Sequence, residues 1–223
     1  MSMAESPDRR ARKAEATRRR ILDAARDVIA TGGPEALTIR AVSNGADIAV
    51  GTFYNYFTSV EQLTDEVVFD LVETFGQRLD ALTGDFDDAA EVYAVSLRHL
   101  ATTAISDPVW GWLLVRLGLA HAGLLDVLGP RANRDIQKGV DSGRFDIDDV
   151  ALAGAMTFGA LLSAMRLRLE RGGSDEVVAT YTQYLLRMVG ISREEARDLA
   201  RRPLPPLPPL DPSDGIRSPA APE

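Results

Sequence analysis

Residues 38–57 read T-I-R-A-V-S-N-G-A-D-I-A-V-G-T-F-Y-N-Y-F. Thr38 is a good N-cap, because its hydroxyl accepts from a backbone N–H one turn further on. Ile39 to about Asn44 then reads as a short helix, Gly45-Ala46-Asp47 as a turn, and Val50 to about Tyr56 as a second short helix. Two short helices joined by a Gly-containing turn of three or four residues form the helix-turn-helix pattern. Such a unit cannot bury a core of its own, so the flanking sequence must hold it.

Upstream, Ile21, Leu22, Ala25, Val28 and Ile29 recur at helical spacing, which predicts a helix over 17–31, ended by Gly32-Gly33-Pro34. Arg18, Arg19 and Arg20 stand in its first turns, where the helix dipole disfavours cations. A nearby phosphate backbone explains them better than local stability does, which makes them candidate DNA-backbone contacts. Residues 1–16 read as a flexible basic arm with Arg9, Arg10, Arg12 and Lys13. Downstream, Ser59-x-x-Gln62 (or Thr58-x-x-Glu61) reads as a capping box opening a helix to about Leu82. Its apolar face is Leu63, Val67, Leu71, Phe75 and Leu79.

The rest is again helical in pattern, over 87–104, 107–119, 121–128, 131–142, 148–171 and 174–189, with a short polar helix from Arg193 to Arg202. Asp107-Pro108 marks a start and Gly129-Pro130 a break. Gly143-Arg144-Phe145 is a turn, after which Asp146 or Asp148 can cap the next helix. From Pro203 the chain reads P-L-P-P-L-P-P-L-D-P, a polyproline-like stretch expected to be a solvated tail. The fold class is therefore all-α: an N-terminal three-helix helix-turn-helix domain (17–62) after the arm, a larger helical domain for ligand binding and dimerisation (63–190), and a polar helix with a Pro-rich disordered tail (191–223).

The segment Gly51-Thr52-Phe53-Tyr54-x-Tyr56-Phe57, followed by Thr58-Ser59-x-Glu61-Gln62-Leu63, resembles the TetR/AcrR family of bacterial transcriptional regulators. The resemblance covers residues 17–75. It implies that Val50–Tyr56 lies in the major groove, with Thr52 and Tyr54 able to read bases and Val50 and Phe53 able to touch thymine methyls. Arg40 matches a position that often reaches a base edge. Thr38, Asn55 and Tyr56 are phosphate candidates, and Phe57 reads as packing. Two positions depart from the family: Ala49 stands where a Ser or Thr commonly caps the recognition helix, and Val60 where a Lys commonly meets a phosphate.

A single helix-turn-helix reads few base pairs, so a homodimer on a palindromic double-stranded operator is expected, with half-sites about 34–36 Å apart or a multiple of that. Ala151, Gly154, Ala155, Phe158, Gly159, Leu162 and Ser163 put small residues on one side of a long helix, and Val177, Tyr181, Tyr184, Leu185 and Met188 line the last one. The resemblance implies that these faces pair across a dimer. It also implies a repressor released by a small ligand. Trp110, Trp112, Leu113, Arg116, His121, Met156 and Phe158 are candidates to line an apolar cavity for a small apolar ligand. An ordinary packed core accounts for the same residues, and the sequence leaves both readings open. A second functional reading keeps the fold but has a protein partner, not a metabolite, regulate it, with the Pro-rich tail as its candidate docking segment.

Composition excludes much else. There is no Cys and only two His, His99 and His121, so disulfides, thiol catalysis and Cys- or His-rich metal sites are not expected. Asp146, Asp148 and Asp149 sit where they would cap a helix. No spaced catalytic set is present, so no enzyme, metal or cofactor is expected. Net charge is −8, yet residues 1–60 carry nine Lys+Arg against seven Asp+Glu, while the remainder carries sixteen against twenty-six. That asymmetry suits DNA held at one end. The longest uncharged run, Val150–Met165, is short of the roughly 20 apolar residues of a membrane span. No membrane partner is expected, and the cytoplasm is the expected location.

Overall fold

Ten α-helices and no strand account for the regular structure, beside one 3₁₀ turn, among the residues that the computed structural model describes: 7–118, 122–172 and 176–209. The starts expected at His121 and Ser174, the first six residues and the tail beyond Pro209 lie outside them, as does the Leu71 side chain.

The first correction concerns the basic arm. Helix α1 runs Pro7–Gly32, so residues 7–16 are helical, with 9–16 exposed. Proline suits a first helical turn, and the Arg, Lys, Ala and Glu that follow are strong helix formers with no breaker before Gly32-Gly33. Thr17, expected near the helix start, lies inside α1 and donates to the Lys13 carbonyl at 3.0 Å.

Helices α2 (Ile39–Gly45) and α3 (Val50–Phe53) form the expected pair. Thr38 caps α2 by accepting from the Ala41 N–H at 3.1 Å. Gly45 owes its place to packing, since a Cβ there would lie 3.1 Å from the Ala24 Cβ of α1. The left-handed residue of the turn is Asp47, with φ of 51°. Ala49 leaves α3 without a side-chain cap, and the helix is shorter than expected. Past Phe53 the chain tightens into bonds from Asn55 to Thr52 and from Tyr56 to Phe53. Ile21, Leu22, Ile29, Val42, Phe53 and Phe57 close the core of this head, joined by Leu63 and Val67 from α4 (Val60–Thr83). Ser59 caps α4 through the Gln62 N–H at 3.2 Å, while the Gln62 carbonyl oxygen accepts from the Thr58 N–H and hydroxyl.

The larger body contains α5 (Ala89–Ser106), α6 (Pro108–Leu117), α7 (Ala122–Asp141), α8 (Val150–Arg171), α9 (Glu176–Met188) and α10 (Arg193–Arg201). Helix α6 packs on α1 and α8, and α7 on α4, α5 and α8. Gly129-Pro130 does not break α7, which runs through Pro130. Proline removes one backbone bond there, but packing against α4 and α8 holds both halves in line. The cap of α8 is Asp149, accepting from the Leu152 N–H at 2.9 Å, and neither Asp146 nor Asp148. At 22 residues α8 is, by length and composition alone, apolar enough to cross a membrane, because the uncharged run over 150–165 is extended by Leu167 past a single charge, Arg166, before the charged end. Its buried face packs on α5, α6, α7 and α9.

The Pro-rich stretch is also corrected. Residues 203–209 lie along the body as a strap. The His99 Nε2–H donates to the Pro205 carbonyl at 2.9 Å, Arg78 Nε donates to the Pro208 carbonyl at 2.8 Å, and Leu207 packs on the core. A polyproline strand has no internal hydrogen bonds, so its carbonyls are free to accept from such donors. The strap thereby links α4 to α5. Ending the chain after Arg202 should lower stability by about 1–3 kcal/mol; an unchanged thermal midpoint would contradict the packing described.

Candidate nucleic-acid interface and ligand cavity

On the head, the outward face of the helix pair carries Arg40, Val50, Gly51, Tyr54 and Asn55, with Thr52 and Tyr56 half-buried behind them. Val50 is 46% exposed and Tyr54 57%, an unusual display of apolar and aromatic surface for a single turn of helix. Phe53, expected to touch DNA, is 0% exposed and faces Phe57 at 5.8 Å inside the head. The correction follows from helical spacing: Phe53, four residues before the buried Phe57, turns inward with it. Val60 is half-buried against the same core, which explains an apolar side chain at that position.

Gly51 has no atom within 4 Å of the place a Cβ would occupy. Nothing inside the chain requires glycine there, and glycine in a helix costs about 1 kcal/mol relative to alanine. A surface that approaches the backbone from outside is the natural reason.

The three arginines have separate fates. Arg18 pairs with Glu66 of α4 and lies 5.6 Å over the Phe57 ring. Arg20 donates to the carbonyls of Ala46 and Asp47, bracing the turn. Only Arg19 of the three is exposed without such a role, while Arg18 and Arg20 brace the head.

In the body a cavity of ≈ 290 Å³ lies between α4, α5, α7 and α8. Leu79, Leu128, Ala132, Phe158 and Leu161 supply apolar walls, and Asp80, Thr83, Arg131, Asn133, Asp135 and Thr157 the polar ones. A second hollow of ≈ 350 Å³ adjoins it and shares Asp80, Thr83 and Asp135. Arg131 forms a two-bond fork with Glu73, both at 2.8 Å, and donates from Nε to Asp80 at 3.0 Å. Arg134 bridges Asp80 at 2.6 Å and Asp135 at 2.8 Å. The fork from Arg131 holds the Glu73 carboxyl below its ordinary value. Burial pushes Asp80 up, but its hydrogen bonds from Arg134 and Arg131 outweigh this and hold it low as well. Above the cavity, burial pushes the Tyr93 phenol up to about 12, and its hydroxyl meets that of Thr157 at 2.5 Å.

Of the described residues expected to line a cavity, Phe158 lines this one. Trp110 and Leu113 are core, with Trp110 5.2 Å from the Phe75 ring. Arg116 stacks over Trp112 at 5.3 Å, Met156 faces outward, and His121 lies outside the described residues. The polar set was missed because Asp80 and Arg131 are 51 positions apart. The available signal was Gly76, a glycine in mid-helix with no turn to explain it.

The expected pairing face also needs correction. Phe158, Leu162, Tyr181 and Leu185 are buried within the chain, and Ala151 and Ala155 border the cavity. The rest of that face stays accessible: Ala151, Ala155, Ser163 and Tyr184 are exposed and Gly159 and Met188 half-buried, and Leu152, Met156 and Leu167 extend the outward stripe of α8. Among the described residues no group of three or more His, Asp or Glu could hold a metal ion.

Residues 21–67 match the family described as bacterial regulatory proteins, tetR family, and residues 88–202 match the tetracyclin repressor-like C-terminal domain. The crystal structure of RolR in complex with resorcinol aligns at 42% identity and a TM-score of 0.73, over 89% of this chain and 100% of that one. RolR without ligand aligns at 40% and 0.71, over 85% and 100%. Among curated proteins, the HTH-type transcriptional repressor KstR of Mycobacterium tuberculosis is 37% identical over 83 residues, 37% of this chain and 34% of KstR. The match thus spans about a third of that relative.

Replacing Gly51 with alanine should raise head stability by up to about 1 kcal/mol while weakening DNA binding about tenfold or more. Melting and binding to a duplex selected from a random pool would be measured together. Equal DNA affinity in the variant would remove the argument for close approach.

Proposed function

Since the chain belongs to the TetR family of bacterial regulators, we propose that it is a homodimeric repressor released from its operator by a small hydroxylated aromatic compound. The observation that carries the ligand class is the polar wall of the cavity. Arg131 uses three of the five N–H donors of a guanidinium on Glu73 and Asp80, leaving two for a ligand oxygen. Asp80 and Asp135 offer acceptors for a ligand O–H. A phenol can do both at once: its oxygen accepts and its hydrogen donates. Glu73, Asp80 and Asp135 outnumber Arg131 and Arg134, so a carboxylate ligand meets net repulsion. The cavity stands at the small end of the roughly 300–1,000 Å³ usual for ligand sites, which suits a single ring. RolR, similar over nearly its whole length, was crystallised with such a compound.

Dimerisation is supported by the outward stripe of α8 and α9. Helix α8 is apolar on two faces, one buried in its own chain and one open, with Leu152 57% and Met156 51% exposed. A helix apolar on both faces asks for a second partner. In the head, Arg40, Val50, Thr52, Tyr54, Asn55 and Tyr56 are the proposed DNA contacts. The partner-protein reading loses ground, because residues 203–209 are already occupied by the chain's own body.

Calorimetric titration tests the ligand class. Resorcinol should bind, benzoate should bind about tenfold or more weakly, and Asp135→Asn should weaken resorcinol by about tenfold. Benzoate binding as well as resorcinol would contradict the charge argument.

A further inference from the structure

Helix α4 carries Glu66, Asp70, Glu73 and Asp80 on one face, at steps of four, three and seven. Arginines from α1 grip the first half: Arg18 on Glu66 and Arg26 on Asp70. Arginines from α7 grip the second: Arg131 on Glu73 and Asp80, and Arg134 on Asp80. One acidic stripe, spanning about 21 Å at 1.5 Å per residue, is thus shared between the DNA-binding head and the cavity wall.

Gly76 shows that the second grip is built. A Cβ there would lie 2.8, 2.9 and 3.0 Å from Nε, Cζ and Cδ of Arg131. The guanidinium therefore lies flat across α4, between Glu73 one turn before it and Asp80 one turn after it. Any other residue would lift it off. Glycine is the weakest helix former after proline, and its presence in the middle of a 24-residue helix is accounted for by this contact.

We infer that the fork of Arg131 on Glu73, seated over Gly76, is the positioning contact that sets the tilt of α4 for operator binding, and that the ligand acts by competing for Arg131. Arg131 and Asp80 line the cavity, whereas Glu73 does not. A ligand oxygen drawing on Arg131 changes the grip on α4 without touching Glu73, and α4 carries the change to Arg18 and the Phe57 region. The inference rests on the cavity being the effector site. The ligand can shift α4 only by as much as it prefers the unclasped state.

The test uses the full chain, a duplex selected by the wild type from a random pool, and resorcinol as probe. Glu73→Gln and Gly76→Ala should each weaken duplex binding about tenfold or more without ligand. The pair Glu73→Gln with Arg131→Ala should be no worse than the worse single variant, because both remove the same contact. Glu73→Gln should still bind resorcinol within about threefold of wild type while losing most of the ligand-driven release. Gly76→Ala, which adds a helix former, guards against a variant that merely unfolds. Duplex affinity and release both at wild-type level in Glu73→Gln and Gly76→Ala would overturn the inference. A wild type that binds the duplex but ignores resorcinol defeats the ligand class alone, and the affinities without ligand still decide the clasp. A wild type that selects no duplex defeats the operator reading and the clasp with it.

Discussion

The guanidinium of Arg131, laid across α4 at Gly76 and forked onto Glu73, joins two units that share one helix. The first turns of α4 complete the core of the head through Leu63 and Val67, and its later turns form a wall of the cavity through Leu79 and Thr83. A rigid helix cannot tilt at one end only. Whatever alters the charge balance around Asp80 and Glu73 therefore bears on the positions of Arg18, Arg26 and the recognition segment. The second attachment of the head to the body is α6 on α1, where a cap from Asp107 and a first-turn Pro108 fix the start of α6. Between them these contacts leave α4 as the element whose setting the cavity can influence.

The fold was legible wherever local chemistry decided the outcome. Thr38, Ser59 and Asp107 each cap the helix that they precede, and the apolar spacing of Ile21, Leu22, Ala25 and Ile29 marks a helix that is buried on that side. It was less legible where tertiary contacts overrode local signals. Pro130 reads as a breaker, yet α7 passes through it because both flanks pack on neighbours. A run of prolines reads as solvated, yet Arg78 and His99 supply donors for its carbonyls.

On the head, the exposure of Val50, Tyr54 and Arg40 agrees with the outward face expected for the helix pair. Phe53 was the exception, since an aromatic residue in that segment fits a groove and a core equally well until its burial is known. The cavity was not readable. Tryptophans attract attention as ligand walls, but Trp110 fills the core against Phe75. The charged residues of its wall, Asp80, Arg131 and Asp135, are indistinguishable in sequence from a solvated helix face and are drawn together by the packing of α7 on α4. Family membership supplies the regulatory frame, and the chain's own polar wall carries the ligand class proposed for it.

Because the chain has no native cysteine, one introduced at the exposed Glu15 position of α1 would carry the only spin label. Pulsed dipolar spectroscopy on the labelled full-length protein then reports the separation of two heads directly. The account predicts a measurable inter-head distance that shifts when resorcinol is bound and is restored by operator DNA. An identical distance distribution with and without bound resorcinol would contradict it, as would the absence of any inter-head distance.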